Sequence, residues 1–315
     1  MRLAVTDRCN LRCHYCMPEE GITYVDRSDL LTYEEMLTLI KIGGDMGINK
    51  VRITGGEPFL RKNLIGFLEK ISLLSTIDSW HITTNGTLQH EHIPRLKELG
   101  IGSINLSLDS MDRERFHVIT RRDDFEKVLE TIALLKQYDI TTKINMVVMR
   151  DINVDDISDM IQLTREWDVS VRFLEEMPFN GSKNEQGKEV INHIEILHHI
   201  QEVHPNIERI DSLPSSTAIE YRVPGYVGSL GIIASYSRTF CGTCDRIRVT
   251  PTGVLKTCLY DQGVMNLRDI MRAGASESEV AGALRSALAH RAKDGKEAES
   301  QRSKFIGESM ATIGG

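Results

Sequence analysis

The chain has 315 residues, a length that fits about two domains of roughly 150 residues each. Hydrophobic residues make up 41% and charged residues 26% of the sequence, which is typical of a folded globular protein and excludes intrinsic disorder and collagen-like structure. Lys and Arg number 38 against 45 Asp and Glu, giving a net charge of −7. This balance argues against broad binding to nucleic acid or to an anionic membrane surface, although a small anion in a local basic pocket stays compatible with it.

The sequence also indicates where the protein is located in the cell. No uncharged apolar run approaches the roughly 18 residues that a membrane span requires. The segment Met1–Asp7 brings charges too early for the apolar core of a signal peptide. The cytoplasm is therefore the expected compartment, and thiols are kept reduced there.

Short strand-like runs alternate with helical patterns up to about residue 174. Three amphipathic helices are predicted, at Tyr33–Met46, Asp124–Tyr138 and Asp155–Glu166. Six successive βα units indicate a parallel sheet, either open or closed into a partial barrel. The six predicted strands are Arg2–Thr6, Lys50–Thr54, Ser79–Thr84, Ser103–Leu108, Thr142–Met149 and Val169–Leu174.

Alternation within these strands favours the barrel. One side of each strand carries apolar residues and the other carries polar ones, because successive side chains point to opposite faces. An open sheet covered by helices on both faces would have continuous apolar runs instead. The pattern predicts a polar, ligand-holding lumen, with solvation of some strands on the outside as the alternative. The polar positions are Arg2, Thr6, Arg52, Thr54, His81, Thr83, Asn105, Ser107, Lys143, Asn145 and Arg172.

The pattern changes after residue 181. A helix is predicted at Glu189–Val203, then four short strands, then helices up to about Arg302. We expect a first domain of residues 1–185 and a second α+β region of residues 186–315. The strands are Ala218–Val223, Ser229–Ser235, Arg246–Thr250 and Gly253–Cys258.

Six cysteines fall into two groups of three. In the first group, Cys9, Cys13 and Cys16 are separated by three and then two residues. They follow the first strand, at the sheet edge where parallel α/β folds place ligand sites. Thiolates select iron–sulfur clusters, zinc or Cu(I), and three of them leave one coordination position free. A structural zinc ion, the alternative to a cluster, would take four protein ligands, and this segment offers no obvious fourth.

The second group consists of Cys241 and Cys244, separated by two residues, and Cys258, which follows after thirteen more. A pair with this spacing alone could also be a redox pair or half of a zinc ribbon. Between the cysteines, Arg246 and Arg248 would share one face of a strand and could bind phosphate oxygens bidentately. Two exposed arginines on an edge strand are the alternative.

The first cysteine group, with Tyr15 before its last member, resembles the signature of the radical S-adenosylmethionine (SAM) enzymes. Residues 55–58, 84–86 and 107–109 match further segments of that superfamily. With the second cysteine group and the C-terminal residues 313–315, the chain resembles the GTP 3′,8-cyclases, the MoaA family of molybdenum cofactor biosynthesis. This resemblance implies an α/β fold, a partial (βα)6 TIM-like barrel with a C-terminal α+β region that carries a second cluster.

The resemblance also implies site residues and cofactors, namely two [4Fe–4S] clusters and SAM. The clusters would be held by Cys9, Cys13 and Cys16, and by Cys241, Cys244 and Cys258. SAM would be bound by Tyr15, Gly56, Ser107 and Met177. GTP would be contacted by Arg2, Arg52, Thr83, Lys143, Arg246 and Arg248, and the catalytic roles would fall to Arg172, Gly314 and Gly315.

In the family that the chain resembles, SAM is cleaved to methionine and a 5′-deoxyadenosyl radical, which takes hydrogen from C3′ of GTP. The C3′ radical adds to C8 of the guanine, and a further electron and proton complete 3′,8-cyclo-7,8-dihydro-GTP. The resemblance implies a reductant protein such as flavodoxin or ferredoxin and a downstream cyclic pyranopterin monophosphate synthase. It allows a homodimer.

Two other function classes stay open at this stage. A different radical SAM enzyme with an auxiliary cluster, such as a peptide- or sulfatase-modifying maturase, would share the first cysteine group. It should lack the Arg246 and Arg248 pair and the Gly-Gly tail, and it would usually have more cysteines in the second region. An iron–sulfur or zinc redox sensor would explain the cysteines but not a polar lumen.

Overall fold

The computed structural model describes residues 1–177, 179, 189–213, 215–302 and 308–314. Twelve strands within these residues form one sheet. They are β1 Arg2–Ala4, β2 Lys50–Thr54, β3 Ser79–Thr84, β4 Ser103–Ser107, β5 Thr142–Val148, β6 Val169–Glu175, β7 Glu208–Arg209, β8 Ile219–Arg222, β9 Ser229–Ile233, β10 Arg248–Val249, β11 Val254–Lys256 and β12 Met265–Asn266.

Helices connect the parallel strands and continue the chain after β12. None of the helices in the described part of the chain has the length and apolar character that a membrane crossing requires. They are α1 Tyr33–Asp45, α2 Leu64–Ser72, α3 Ile93–Glu98, α4 Arg113–Thr120, α5 Phe125–Gln137, α6 Ile157–Gln162, α7 His193–Val203, α8 Leu267–Arg272, α9 Glu277–Ala289, α10 Gly295–Ser300 and α11 Met310–Ile313.

The sheet has a parallel centre and antiparallel edges. Its strand order is β12-β11-β10-β1-β2-β3-β4-β5-β6-β9-β8-β7, and the run from β10 to β9 is parallel throughout. In the described residues β9 and β10 do not pair with each other, so the curved sheet stays open on that side. This architecture confirms the expected α/β fold with a partial barrel.

The predicted strand alternation is confirmed by burial and register. Leu3, Ile53, Ile82 and Ile104 are fully buried on the helix-covered face. On the opposite face, the register places Arg2 beside Arg52 of β2 and beside Arg248 of β10. Like charges on directly opposed positions destabilise a sheet, and this arrangement therefore marks the lumen as a place for an anionic partner.

Some helices and strands begin or end at other residues than predicted, because local hydrogen bonds that hydrophobic periodicity does not show determine their ends. Helix α1 begins as predicted, with a capping box formed by Thr32 and Glu35. Helix α7 begins later than predicted, because the Asn192 side chain accepts hydrogen bonds from Ile194 and Glu195 and caps it there. Strand β1 ends at Ala4, where the chain leaves the ladder for the cysteine segment.

The two sequence regions share the sheet. Strands β9 and β10, which follow the predicted boundary, pair with β6 and β1, which precede it. The boundary itself, between residues 185 and 186, lies outside the described residues. The division into domains of residues 1–185 and 186–315 stays a prediction.

Candidate active site

A cavity of about 260 Å³ lies at the carboxyl ends of the parallel strands. All six cysteines line it, so the structure brings the two groups to a single site. Nine more of the predicted site residues line the same cavity: Arg2, Tyr15, Gly56, Thr83, Ser107, Arg172, Met177, Arg246 and Arg248.

Four predicted site residues are not among those that line this cavity. Arg52 lies on the lumen face of β2, where its guanidinium contacts the Ile82 carbonyl at 3.4 Å. Lys143 lies on the same face of the sheet, in register with Asn105. Gly314 lies beside Ala4 and Thr54 at the ends of β1 and β2. Gly315 lies outside the described residues.

The first cysteine group is held on a turn that packs against the end of α4. The Cys16 amide donates to the Cys13 carbonyl at 2.9 Å, which closes the turn. The Arg12 amide donates to the Thr120 carbonyl at 2.9 Å. The Arg121 guanidinium, just after α4, donates to the Arg12 carbonyl at 2.8 Å. These bonds fix the loop backbone that carries the three thiols, and the cysteines line the cavity.

The thiols are free and half-buried, which suits metal ligation. None of the six forms a disulfide. Burial raises the pKa of the Cys9 thiol to about 12, so this sulfur is protonated unless a metal displaces the proton, as metal binding to thiols does. The described residues contain no group of three or more His, Cys, Asp or Glu side chains that could hold one metal ion. Each cysteine group supplies three thiols, whereas a structural zinc ion takes four protein ligands, so three thiols fit an iron–sulfur cluster with one open position better.

Tyr15 is held in place by residues at the ends of β4 and β5. Its hydroxyl donates to the Asp109 carboxylate at 2.7 Å, and the Val147 amide donates to the other carboxylate oxygen at 2.8 Å. Burial raises the pKa of Asp109 to about 6, although these two donors oppose the rise. The contact ties the first cysteine loop to the ends of β4 and β5.

Residues 55–58 form a loop that is pressed against the cysteine segment. A Cβ atom on Gly56 would lie 2.3 Å from the Arg8 carbonyl oxygen, so only glycine fits there. Glu57 is completely buried and accepts hydrogen bonds from the Thr84 hydroxyl and the Asn85 amide at 2.8–3.0 Å. Burial raises the pKa of Glu57 to about 7. This network positions the loop between the cysteines and β3.

Three arginines converge on the cavity from β1 and from the start of β10. Burial lowers the pKa of Arg2, and the nearby Arg248 and Arg246 lower it further. Burial and the charge of Arg246 lower the pKa of Arg248 to about 10. The Arg246 guanidinium contacts the Cys244 sulfur at 3.3 Å. None of the three forms an ion pair with a carboxylate of the described residues, so the cavity wall carries an uncompensated positive charge.

A second group of cations lies deeper in the lumen. Burial and the charges of Arg172 and Arg52 lower the pKa of Lys143 to about 8. Burial and the charge of Arg172 lower the pKa of Arg52 to about 10. Only Arg172 of this group has a carboxylate partner among the described residues, Glu220 of β8 at 2.8 Å.

Some cavity residues were not predicted as site residues. The Oδ1 atoms of Asn105 and Asn145 are buried without a hydrogen-bond partner in the described structure, and both residues line the cavity. The strand alternation placed them on the lumen side but did not distinguish them from their neighbours. Glu175, also on the cavity wall, accepts hydrogen bonds from the Tyr236 and Ser237 amides. No local sequence signal pairs residues so far apart in the chain.

The second cysteine group lies on the connection from β9 to β10 and after β11. Cys241 begins a short 3-10 helix at Cys241–Thr243. The Asp261 carboxylate accepts the Cys258 amide at 2.8 Å and fixes that side of the group. The expected strand Arg246–Thr250 is shorter in the structure, because β10 begins at Arg248. Arg246 therefore lies in the connection and does not share a strand face with Arg248, although both line the cavity.

The C-terminal segment enters the same region. Met310 and Ala311 line the cavity, and the Gly314 carbonyl accepts a hydrogen bond from Arg248 at 2.6 Å. Gly314 has a φ of 77°, and a Cβ atom there would lie 2.8 Å from Ala4 Cβ and 2.9 Å from Thr54 Oγ1. Both the backbone conformation and the space require glycine.

Comparison with known proteins assigns the family. Residues 3–164 match the family model of the radical SAM superfamily. Residues 169–297 match the model described as Molybdenum Cofactor Synthesis C. A protein of Syntrophomonas wolfei named GTP 3′,8-cyclase is 41% identical over 281 residues, which cover 89% of this chain and 86% of the relative. The chain belongs to the GTP 3′,8-cyclase family of the radical SAM superfamily.

Other relatives are longer than this chain or more distant. Molybdenum cofactor biosynthesis protein 1 of Bos taurus is 41% identical over 281 residues, which cover 89% of this chain and 44% of the relative. The chain thus spans about half the length of such relatives. Streptococcus suis SuiB aligns with a TM-score of 0.61 at 11% identity, over 96% of this chain and 68% of SuiB. The protein anSMEcpe, solved with AdoMet and a peptide, aligns with a TM-score of 0.56 at 15% identity, over 89% of this chain and 81% of that one. At such identities the likeness supports the fold alone.

Proposed function

We propose that this chain is a radical SAM GTP 3′,8-cyclase. It converts GTP to (8S)-3′,8-cyclo-7,8-dihydroguanosine 5′-triphosphate, the first step of molybdenum cofactor biosynthesis. The observation that carries the proposal is one cavity lined both by two groups of three thiols and by Arg2, Arg246 and Arg248, which form no ion pair with a carboxylate of the described residues. Thiols are suited to metal clusters, and unpaired guanidinium groups are suited to phosphate oxygens.

Two [4Fe–4S] clusters and SAM fit the donor sets present. Cys9, Cys13 and Cys16 would hold one cluster, and the cysteines at 241, 244 and 258 the other. Each group supplies three ligands and leaves a fourth position open for a ligand that is not protein. When bound, the first cluster supplies the electron that cleaves SAM and so provides the radical that removes a hydrogen atom.

The residues proposed to bind SAM are those around the first cysteine group. Gly56 supports this role because it lines the cavity in a loop packed tightly against the Arg8 backbone, which only glycine allows. Tyr15 is held in one orientation by Asp109. Ser107 at the end of β4 and Met177 after β6 line the same cavity.

The proposed GTP contacts are supported by the charge of the lumen. The triphosphate would be bound by Arg2, Arg246 and Arg248, because charge-assisted hydrogen bonds from guanidinium groups are strong and often bidentate. Thr83, Arg52 and Lys143 extend the contact surface along the same face of the sheet. The buried Oδ1 atoms of Asn105 and Asn145, which have no hydrogen-bond partner among the described residues, leave acceptors for base or ribose donors. Arg172, Gly314 and Gly315 are proposed as the catalytic residues.

The atom balance defines the product and the partners. GTP loses one hydrogen atom at C3′, forms the C3′–C8 bond, and then gains one electron and one proton, so the product is an isomer of GTP. The reaction needs two electrons, one to cleave SAM and one to complete the product. Both must come from outside the chain, which supports a reductant protein such as flavodoxin or ferredoxin in the cytoplasm. A cyclic pyranopterin monophosphate synthase would then consume the product. A homodimer is compatible with this scheme.

A peptide- or sulfatase-modifying maturase is the alternative, and the second half of the chain disfavours it. Residues 169–297 match the Molybdenum Cofactor Synthesis C model. The second region carries three cysteines and not more, and Arg246 and Arg248 line the cavity together. The likeness to SuiB supports a shared fold and does not extend to its substrate.

The test of the proposal is the product formed by the anaerobically reconstituted chain from SAM, a chemical reductant and GTP. We expect about eight irons per chain, two clusters' worth, together with 5′-deoxyadenosine and a nucleotide isomeric with GTP. ATP serves as the matched control and should remain unchanged. A chain that cleaves SAM but leaves GTP intact would contradict the proposal.

A further inference from the structure

Two adjacent residues near the C-terminus connect to the two cysteine groups: Ser309 contacts the backbone of Cys16, and Glu308 contacts Lys256, which lies beside the second group. The Glu308 carboxylate accepts two hydrogen bonds from the Lys256 ammonium, at 2.8 and 2.9 Å. Lys256 is the last residue of β11 and lies two residues before Cys258. The Ser309 hydroxyl donates to the backbone carbonyl of Cys16 at 2.5 Å. The C-terminal segment is thereby bonded to both sides of the cavity.

The contacts at Glu308 and Ser309 are largely buried. The Lys256 side chain is 1% exposed and that of Glu308 is 18% exposed, and Arg302 contacts the same carboxylate. Removing one partner of a buried ion pair leaves an uncompensated charge, which is strongly unfavourable. The Ser309 hydroxyl also accepts the Ala311 amide at 3.2 Å and so caps α11. Its loss would leave both a carbonyl and an amide without a partner.

The contacts at Glu308 and Ser309 set the position of residues 310–314. The Met310 amide donates to the Phe179 carbonyl at 2.8 Å. One short helix, α11, then connects Ser309 to Gly314, whose carbonyl meets Arg248. A shift at Ser309 would be transmitted through this helix to the cavity.

We propose that Glu308 and Ser309 are positioning residues that form a clasp between the C-terminal segment and both cysteine groups. A disturbance of either cysteine group loosens the C-terminal segment, and the loosened segment changes the environment of the other cysteine group. Such coupling is reciprocal because it is a free energy shared between the sites. The clasp rests on the proposed function only in that the two cysteine groups hold clusters.

The experiment measures amide hydrogen exchange of residues 309–314 and the electron paramagnetic resonance spectrum of the first cluster in the reconstituted chain. Ser309→Ala should speed exchange of the segment about fivefold, the factor expected for losing a capping hydroxyl, and Ser309→Thr should restore protection. Lys256→Met, two residues from Cys258 of the second group, should both speed this exchange and alter the spectrum of the first cluster. Lys41→Met, which removes an exposed ion pair with Glu277, should change neither.

The proposal is decided by whether a change beside the second cysteine group alters the C-terminal segment and the first cluster. If Lys256→Met left both the exchange of the segment and the first-cluster spectrum as in the parent chain, the clasp would be refuted. Glu308→Gln gives the same test if Lys256→Met does not fold, because it removes the charge while keeping the shape. A parent chain with protected segment and coupled clusters that nevertheless fails to convert GTP would refute the proposed function and leave the clasp standing.

Discussion

Arg246 and Arg248 lie two residues apart but have different surroundings. Arg248 is buried and donates to the Gly314 carbonyl, so its substitution would disturb both anion binding and the C-terminal segment. Arg246 contacts Cys244 through its guanidinium and lies over the Phe240 ring. It makes no hydrogen bond to the C-terminal segment in the described residues. Substitution of Arg246 therefore tests the proposed triphosphate site without removing a contact of the C-terminal segment, but it also removes the contact with Cys244.

Arg246→Ala should weaken GTP binding by about 1.5–3 kcal/mol, the range for hydrogen bonds to charged groups. Arg248→Ala should weaken it by at least as much. Isothermal titration calorimetry under anaerobic conditions measures the difference. Arg113→Ala is the control, because Arg113 is 58% exposed and pairs with Asp123 at the surface. Unchanged affinity in both cavity variants would count against the pocket.

Lys143 gives the site a pH dependence. Its pKa lies at about 8 in the free chain, and a bound triphosphate would raise it, so binding takes up a proton above pH 8. GTP affinity should therefore be constant below the pKa and fall roughly tenfold between pH 7 and 9. Lys143→Arg should remove this fall, because arginine stays charged over the range. The same fall in that variant would show that another group is responsible.

Strand alternation predicts which side of the sheet a residue faces but not how deep it lies. Arg2, Thr83 and Arg172 were placed on the lumen side and do line the cavity. Arg52 and Lys143 share that side but do not line it, because depth depends on where side chains from neighbouring strands fill the lumen. That information is not present in any single strand.

The six parallel strands were predictable because each carries its own apolar and polar alternation. The joining of β9 to β6 and β10 to β1 was not, because strand pairing between distant segments leaves no local pattern. The loop at residues 55–58 was identified by resemblance, and the structure adds the reason: Gly56 passes against the backbone of Arg8.

The function of the C-terminal segment can be tested by a substitution that adds a single methyl group. Gly314→Ala adds a Cβ atom into contact with Ala4 and Thr54 and strains a φ of 77°. We expect normal folding and iron content, at least partial SAM cleavage, and cyclised nucleotide reduced to background. Deletion of residues 314 and 315 should give the same result. The readout is the ratio of cyclised nucleotide to 5′-deoxyadenosine.

Gly274→Ala is the matched control for backbone strain. Gly274 has a φ of 92°, but a Cβ atom there would meet nothing within 4 Å. Its replacement should leave the product ratio unchanged. If Gly314→Ala also kept the parent ratio, the C-terminal residues would have no part in turnover.

The two cysteine groups should act as separate metal-binding elements. Replacing Cys9, Cys13 and Cys16 by Ala should leave about four irons, one cluster's worth, and abolish SAM cleavage. Replacing the three cysteines of the second group should leave the same iron count but keep SAM cleavage. Iron analysis and 5′-deoxyadenosine yield measure both effects. Reductive SAM cleavage by the first variant would show that the first group is wrongly assigned.

At the scale of the whole molecule, the open side of the barrel explains how both cysteine groups reach one cavity. The first group follows β1. Of the second group, Cys241 and Cys244 lie on the connection between β9 and β10, the two strands that flank the opening, and Cys258 follows β11, which pairs with β10. The sequence alone showed two groups at opposite ends of the chain and could not show that they meet. The resemblance to a family supplied that expectation, and the sheet order provides its physical basis.

The most direct measurement follows the hydrogen atom at C3′ of GTP. The reconstituted chain is given GTP carrying deuterium at C3′, together with SAM and a reductant, and 5′-deoxyadenosine is analysed by mass spectrometry. The account predicts deuterium in 5′-deoxyadenosine, in step with a cyclised nucleotide that has lost it. Unlabelled 5′-deoxyadenosine alongside unchanged GTP would contradict the account.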